Sequence, residues 1–117
     1  MKIVLKGKPM STQHAYGQRG KIRYVKKTAK DIKKSYAKQA KEQWESDPIS
    51  IAKLAIEVSI FFGDKRIRDW DNWHKLSMDA MTGIVWEDDS LIRKATVLLG
   101  YDKTNPRIEV QLFLLDS

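Results

Sequence analysis

Two aspartates one residue apart, Asp69 and Asp71, stand in the run Arg66-Ile67-Arg68-Asp69-Trp70-Asp71-Asn72-Trp73-His74-Lys75, and a second acidic pair, Asp88-Asp89, follows downstream. On extended backbone, side chains two apart point to the same side, so Asp69 and Asp71 can converge on one ion. Carboxylates held that close repel each other. A hard divalent cation such as Mg²⁺ relieves the repulsion and prefers oxygen ligands. The same residues also have a plainer use, with Asp71 capping a helix, Asp69 paired to Arg66 or Arg68, and Asp88-Asp89 in an exposed turn. Spacing alone leaves both uses open, because D-x-D pairs are frequent in surface loops. A helix of about a dozen residues carries the chain about 18 Å along its axis, so the fold decides whether Asp89 meets the first pair. Asn72, Lys75 and Asp79 share one helical face, either as a solvated stripe or as an amide and a cation aimed at a phosphate. Trp70, Trp73 and Trp86 flank the acidic positions, where core or interface packing competes with base stacking. His74 lies beside the site, and His14 has no partner motif.

These residues sit between elements that the hydropathy pattern marks out. Lys2 to Leu5 is a short strand, and Gly7 and Pro9 break the chain after it. Tyr16 to Val25 has the pattern of a hairpin turning near Gly17–Gly20, with Arg19, Lys21 and Arg23 on it. A helix is expected from Thr28, where Asp31 three residues on suggests a cap. Ile32, Tyr36, Ala40 and Trp44 make its apolar stripe, lysines 30, 33, 34, 38 and 41 take the other faces, and Asp47-Pro48 ends it. Residues 51–62 alternate as a strand, with Ala52, Leu54, Ile56, Val58, Ile60 and Phe62 on one side. A second helix is expected from Asp71 to Thr82, closed by Gly83. Strands over Ile92 to Leu99 and Arg107 to Leu114 complete the chain, the last with Ile108, Val110, Leu112 and Leu114 on one face. This order predicts an α+β fold, a mixed sheet packed with two main helices in one domain over residues 1–117.

Composition narrows the chemistry. The chain has 117 residues, 42% of them apolar, and no cysteine. That excludes disulfides, thiolate metal sites and cysteine nucleophiles, leaving oxygen ligands or the two histidines for any metal. Lys2, Lys6 and Lys8 interrupt the early apolar run, so no secretion signal is expected, and no stretch has the length of a membrane span. A cytoplasmic protein is expected. Charge is divided unevenly, about +9 over residues 1–47 and about −2 over the remainder, within a total of +7. A basic half beside an acidic one suits a phosphate-binding surface next to a site that needs carboxylates, although a lysine-rich helix can also be only a solvated face.

Taken together, Arg68-Asp69-x-Asp71-Asn72-x-x-Lys75, then Asp79-Ala80-Met81, then Trp86-x-Asp88-Asp89, resembles the RusA family of Holliday-junction resolvases, small proteins of bacteriophages and prophages. The resemblance covers nearly the whole chain in order and length, and its specific part lies within residues 66–92. It implies a homodimeric, Mg²⁺-dependent endodeoxyribonuclease, with Mn²⁺ as substitute, that makes paired symmetric nicks in four-way DNA junctions. By motif match the metal ligands would be Asp69, Asp71 and Asp89, and Lys75 the catalytic lysine. Arg68, Asn72 and Asp88 would support them. Arg19, Lys21, Arg23, Lys30, Lys33 and Lys34 would contact DNA backbone in a bacterial or phage-infected cell. Two departures bear on sequence preference. Pro9 alone represents the family's proline-rich segment, before Met10-Ser11-Thr12-Gln13, and Leu91 stands where the family often has glutamine. The competing expectations are a non-catalytic DNA-binding module with a structural acidic cluster, and a nuclease for flaps or forks.

Overall fold

Alternation of apolar and polar residues drives the strands, and the computed structural model shows them assembled into one mixed sheet. It describes residues 1–11, 16–19, 22–25 and 27–115, with 16–19, 22–25 and residue 71 described by backbone alone. Strands β1 (Lys2–Lys6), β4 (Lys53–Phe62), β5 (Ile92–Tyr101) and β6 (Arg107–Leu115) form the sheet in the order β1-β6-β4-β5. The pairs β1–β6 and β6–β4 are antiparallel, whereas β4–β5 is parallel. Strands β2 (Tyr16–Arg19) and β3 (Ile22–Val25) pair separately as the expected hairpin, with Arg19 opposite Ile22. The fold is the α+β arrangement expected, a four-stranded mixed sheet with two helices.

Helix α1 (Lys27–Gln43) buries Ala29, Tyr36 and Ala40 and half-buries Ile32, so the stripe in the sequence is its inward face. It opens one residue before Thr28, which therefore lies in the first turn. The helix packs on β1 and on α2 (Lys75–Met81). Its Gln39 and Gln43 also close the free edge of β1. Gln43 accepts from the Val4 amide at 2.8 Å and donates to the Val4 carbonyl at 2.7 Å. Gln39 does the same at Lys6, at 2.7 and 3.2 Å.

The second helix is shorter than the sequence pattern indicates. Trp70–Asn72 forms a separate 3-10 turn, Trp73 and His74 break the run, and α2 spans only Lys75–Met81. Aromatic packing explains the break. The Trp73 ring meets the Phe62 ring edge-on at 4.9 Å, which holds Trp73 against the end of β4. Gly83, at φ +91°, turns the chain after α2, in the region that glycine enters without a steric penalty. Leu114 continues the face of Ile108, Val110 and Leu112 at the end of β6. It is 72% exposed, whereas those three are buried.

On the face away from the helices, Glu109 of β6 pairs with Lys2 of β1 and with Arg107, and Arg107 also reaches Asp102 at 2.7 Å. The Lys2 ammonium and then Arg107, opposed by partial burial, hold the Glu109 carboxyl below its usual range. A depressed carboxylate stabilises the fold above its ordinary pKa of about 4.3, and that contribution is lost as pH falls through the lower folded value. Glu109→Gln is therefore expected to lower the melting temperature at pH 7, with the gap to wild type closing below about pH 4. Thermal melts across pH test this, and a gap that persists in acid would remove the ion pair as its cause.

Candidate functional site

Parallel pairing of β4 and β5 requires a crossover connection, and this crossover, residues 63–91, carries Asp69, Asp71, Asp79, Asp88 and Asp89. Its first part is braced by Arg68. The Arg68 guanidinium pairs with Asp64 at 2.7 Å, lies 4.1 Å from the Phe62 ring centre and 5.3 Å from that of Trp73, and donates to the Arg66 carbonyl at 3.2 Å. The Asp64 carboxylate also accepts from the Arg66 amide, and this bond first, then Arg68, holds it below the usual carboxylate range. The chain leaves this brace in extended conformation at Asp69, whose side chain is exposed, and enters the Trp70–Asn72 turn.

The last part of the crossover is anchored by Trp86. Its indole is fully buried and donates to the Thr82 hydroxyl at 3.0 Å. The flanking backbone ties to Ile49 on both sides, at 2.9 Å each. Asp88 comes next and accepts from the Ser90 amide at 2.9 Å, capping a second 3-10 turn, Asp89–Leu91. That bond is the main reason the Asp88 carboxyl sits below its usual range. The two acidic neighbours thus have different surroundings, Asp88 bonded into its own turn and Asp89 facing a cavity.

That cavity, about 410 Å³, lies between α2 and β5. Trp70, His74, Lys75, Asp79 and Asp89 line it, over an apolar floor that includes Ile56, Val58 and Val97. Lys75 is half-exposed and its ammonium lies 3.6 Å from the Asp79 carboxylate one turn along. The cavity therefore holds carboxylates, a cation and an aromatic ring above apolar side chains. Such a set can hold a hard cation and a phosphate diester together.

The family model described as Endodeoxyribonuclease RusA matches residues 6–113. The chain belongs to the RusA endodeoxyribonuclease family. No curated protein matches the sequence. In this RusA-family chain, Lys75 and Asp89 share a cavity, and the turn beginning after Asp69 borders it through Trp70. Arg68 lies instead against Phe62 and Trp73, and Asn72 is half-buried. Asp71 has its backbone in the turn, and its side chain lies outside the described residues. Among the described residues no three His, Asp or Glu side chains gather around one point.

Of the DNA-contact candidates, Lys30, Lys33 and Lys34 are exposed on α1. Arg19 and Arg23 sit on the two hairpin strands, placed by backbone alone, and Lys21 lies outside the described residues. Two site features were missed from the sequence. The Lys75–Asp79 pair has an i, i+4 spacing that the sequence does display. Asp64 carries no such signal, because its bond to Arg68 forms in a loop, where spacing says little. No helix among the described residues is long and apolar enough to cross a membrane.

Arginine's planar fork makes the brace, and lysine cannot reproduce contacts to a carboxylate, a carbonyl and two ring faces at once. Arg68→Lys is expected to speed amide hydrogen exchange across residues 64–72 while β4 and β6 keep their protection. Unchanged exchange in 64–72 would show that Arg68 does not hold the segment.

Proposed function

We propose that the chain is a Mg²⁺-dependent endonuclease that resolves four-way DNA junctions as a homodimer, Asp69, Asp71 and Asp89 being the metal ligands and Lys75 the catalytic cation. The observation that carries this reading is the shared cavity of Lys75 and Asp89, with the Trp70–Asn72 turn at its rim. The donor set suits the metal. The ligands are all carboxylates in a chain without cysteine, which favours Mg²⁺, with Mn²⁺ able to replace it, over a thiophilic ion. Asp88, bonded to Ser90, serves the turn, which supports Asp89 as the ligand of the pair. Bound there, the cation would polarise the scissile phosphate and supply an activated water.

The chain's own groups do the rest. Lys75 places its positive charge where negative charge develops on the phosphate and the leaving 3′ oxygen. Asp79 keeps that ammonium at the cavity. Arg68 supports the site from behind, by fixing the segment that delivers Asp69, and Asn72 follows in the same turn. Lys30, Lys33 and Lys34, with Arg19, Lys21 and Arg23, bind the junction arms through phosphates, so affinity falls steeply with salt. The products carry 5′ phosphate and 3′ hydroxyl ends, ready for ligation.

A four-way junction has two-fold symmetry, and a two-fold dimer offers it two equivalent sites. The sheet supports a seam at β5. The β1 edge is closed by Gln39 and Gln43, whereas among the described residues nothing pairs with the outer edge of β5. Leu98, Leu99 and Tyr101 are 40–48% exposed along that strand. Antiparallel pairing of two β5 strands about their midpoint sets Arg93 and Lys94 opposite the Leu99–Tyr101 end, away from each other.

Cleavage of a synthetic four-way junction tests the chemistry. Asp71→Asn, Asp89→Asn and Lys75→Ala are each expected to lose about 10²-fold or more in rate, by analogy with the removal of one transition-state donor. All should keep metal-free junction binding. Retained cleavage in either aspartate variant would overturn the ligand assignment. Wild-type cleavage of forks or flaps in preference to junctions would move the substrate, and cleavage of nothing would leave a DNA-binding module. Leu99→Lys is expected to shift the sedimenting species from dimer to monomer, and an unchanged dimer would place the seam elsewhere.

A further inference from the structure

We infer that Trp70 is a stacking platform for one nucleobase next to the scissile phosphate, so that the site grips an unpaired base as well as a phosphate. The inference rests on the nuclease reading above and names a residue which that reading leaves without a role. The chain has four tryptophans, and three are packed. Trp86 is fully buried, Trp73 stands edge-on against Phe62, and Trp44 is half-buried with its indole N–H bonded to the Asp47 carbonyl. Trp70 is 61% exposed. A large indole left in water forgoes the burial that normally makes tryptophan stabilising.

Its position is as specific as its exposure. Trp70 is the middle residue between Asp69 and Asp71 and the first residue of the Trp70–Asn72 turn. Its ring lies nearly parallel to the His74 imidazole, 10° apart in plane with centres 6.4 Å apart. The ring borders the cavity that also holds Lys75 and Asp89. A flat aromatic surface, a half-exposed ammonium and an apolar floor match one kind of occupant, a planar heterocycle joined to a phosphate. Charge complementarity favours this occupant over an apolar segment of protein, because Lys75 and the carboxylates would be buried beside such a segment at a cost.

Stacking on an aromatic ring needs no particular base, since every base has a π face. It does need a base free to leave its duplex, and unstacking costs least where pairing is already interrupted. Bases at the branch point of a junction meet that condition, whereas bases inside a linear duplex do not. Trp70 thereby contributes selectivity for branched structure from within the cleavage site, separately from the lysines that hold any DNA backbone.

The test uses the full chain and a four-way junction carrying 2-aminopurine at the positions flanking the branch point, with EDTA present so that no cleavage occurs. Unstacking of 2-aminopurine raises its fluorescence, and stacking on an indole alters it again. Wild type is expected to change the signal on binding, Trp70→Phe to keep the change, and Trp70→Ala to lose it. Trp70→Ala should weaken junction binding about 5- to 150-fold, the range for one lost base stack, with duplex binding as the internal reference. An undiminished signal and affinity in Trp70→Ala would overturn the inference. So would conversion of a dimer to a monomer on sedimentation, which would assign Trp70 to a subunit contact. Failure of the nuclease reading looks different, since wild type itself would then cleave no branched DNA when Mg²⁺ is supplied.

Discussion

Parallel pairing of β4 with β5 is the constraint on which the remaining organisation depends. Two strands running the same way cannot be joined by a tight turn, so the chain must leave the end of β4 and travel back to the start of β5. In this chain that return contains a braced loop, two 3-10 turns and a helix of seven residues. The return path lies over the sheet beside β5, and the space between it and the strand is the cavity. A hairpin in place of the crossover would have left no room for a site. Ends of the crossover are fixed by different means, Arg68 with Asp64, Phe62 and Trp73 at one, and buried Trp86 with Ile49 at the other. Between two fixed ends, short polar turns can present side chains outward without needing a core of their own.

Charge is separated along the same lines. The lysines of α1 stand on one helix, while the acidic residues are concentrated in the crossover. Keeping them apart prevents the lysines of α1 from neutralising the carboxylates of the crossover. It also leaves a basic surface that attracts a polyanion while the carboxylates meet it only at one place. The ion pair within the site, Lys75 with Asp79, is partly exposed and lies on one helical turn. Such a pair contributes little to stability, so its value lies in where it keeps the ammonium.

Much of this was legible in the sequence, for physical reasons that differ by element. The strand over residues 53–62 and the stripe of α1 were readable because one face of each is buried and the other is solvated. The α+β order followed from them, and the joint spacing of Arg68, Asp69, Asp71, Asn72, Lys75 and Asp88-Asp89 pointed to the RusA family. The second helix was overextended, because its period continues through Trp73 while a tertiary contact with Phe62 breaks the backbone there. The brace on Arg68 was unreadable for a related reason. Its partners belong to a strand end, a loop and a turn, and no periodicity connects those. The pattern also ranked all the flanking tryptophans alike, whereas burial separates Trp86, Trp73 and Trp70 into three environments.

The glutamines on α1 have a consequence beyond closing one strand. A sheet with two open edges can add copies indefinitely, each new copy presenting the edge that the last one used. Here Gln39 and Gln43 satisfy the outward amides and carbonyls of Val4 and Lys6 from within the same chain. Addition of a strand at β1 would have to displace both glutamines, whereas β5 has no such cover among the described residues. Two amide side chains thus give the sheet a polarity, one edge sealed by its own chain and one unpaired among the described residues.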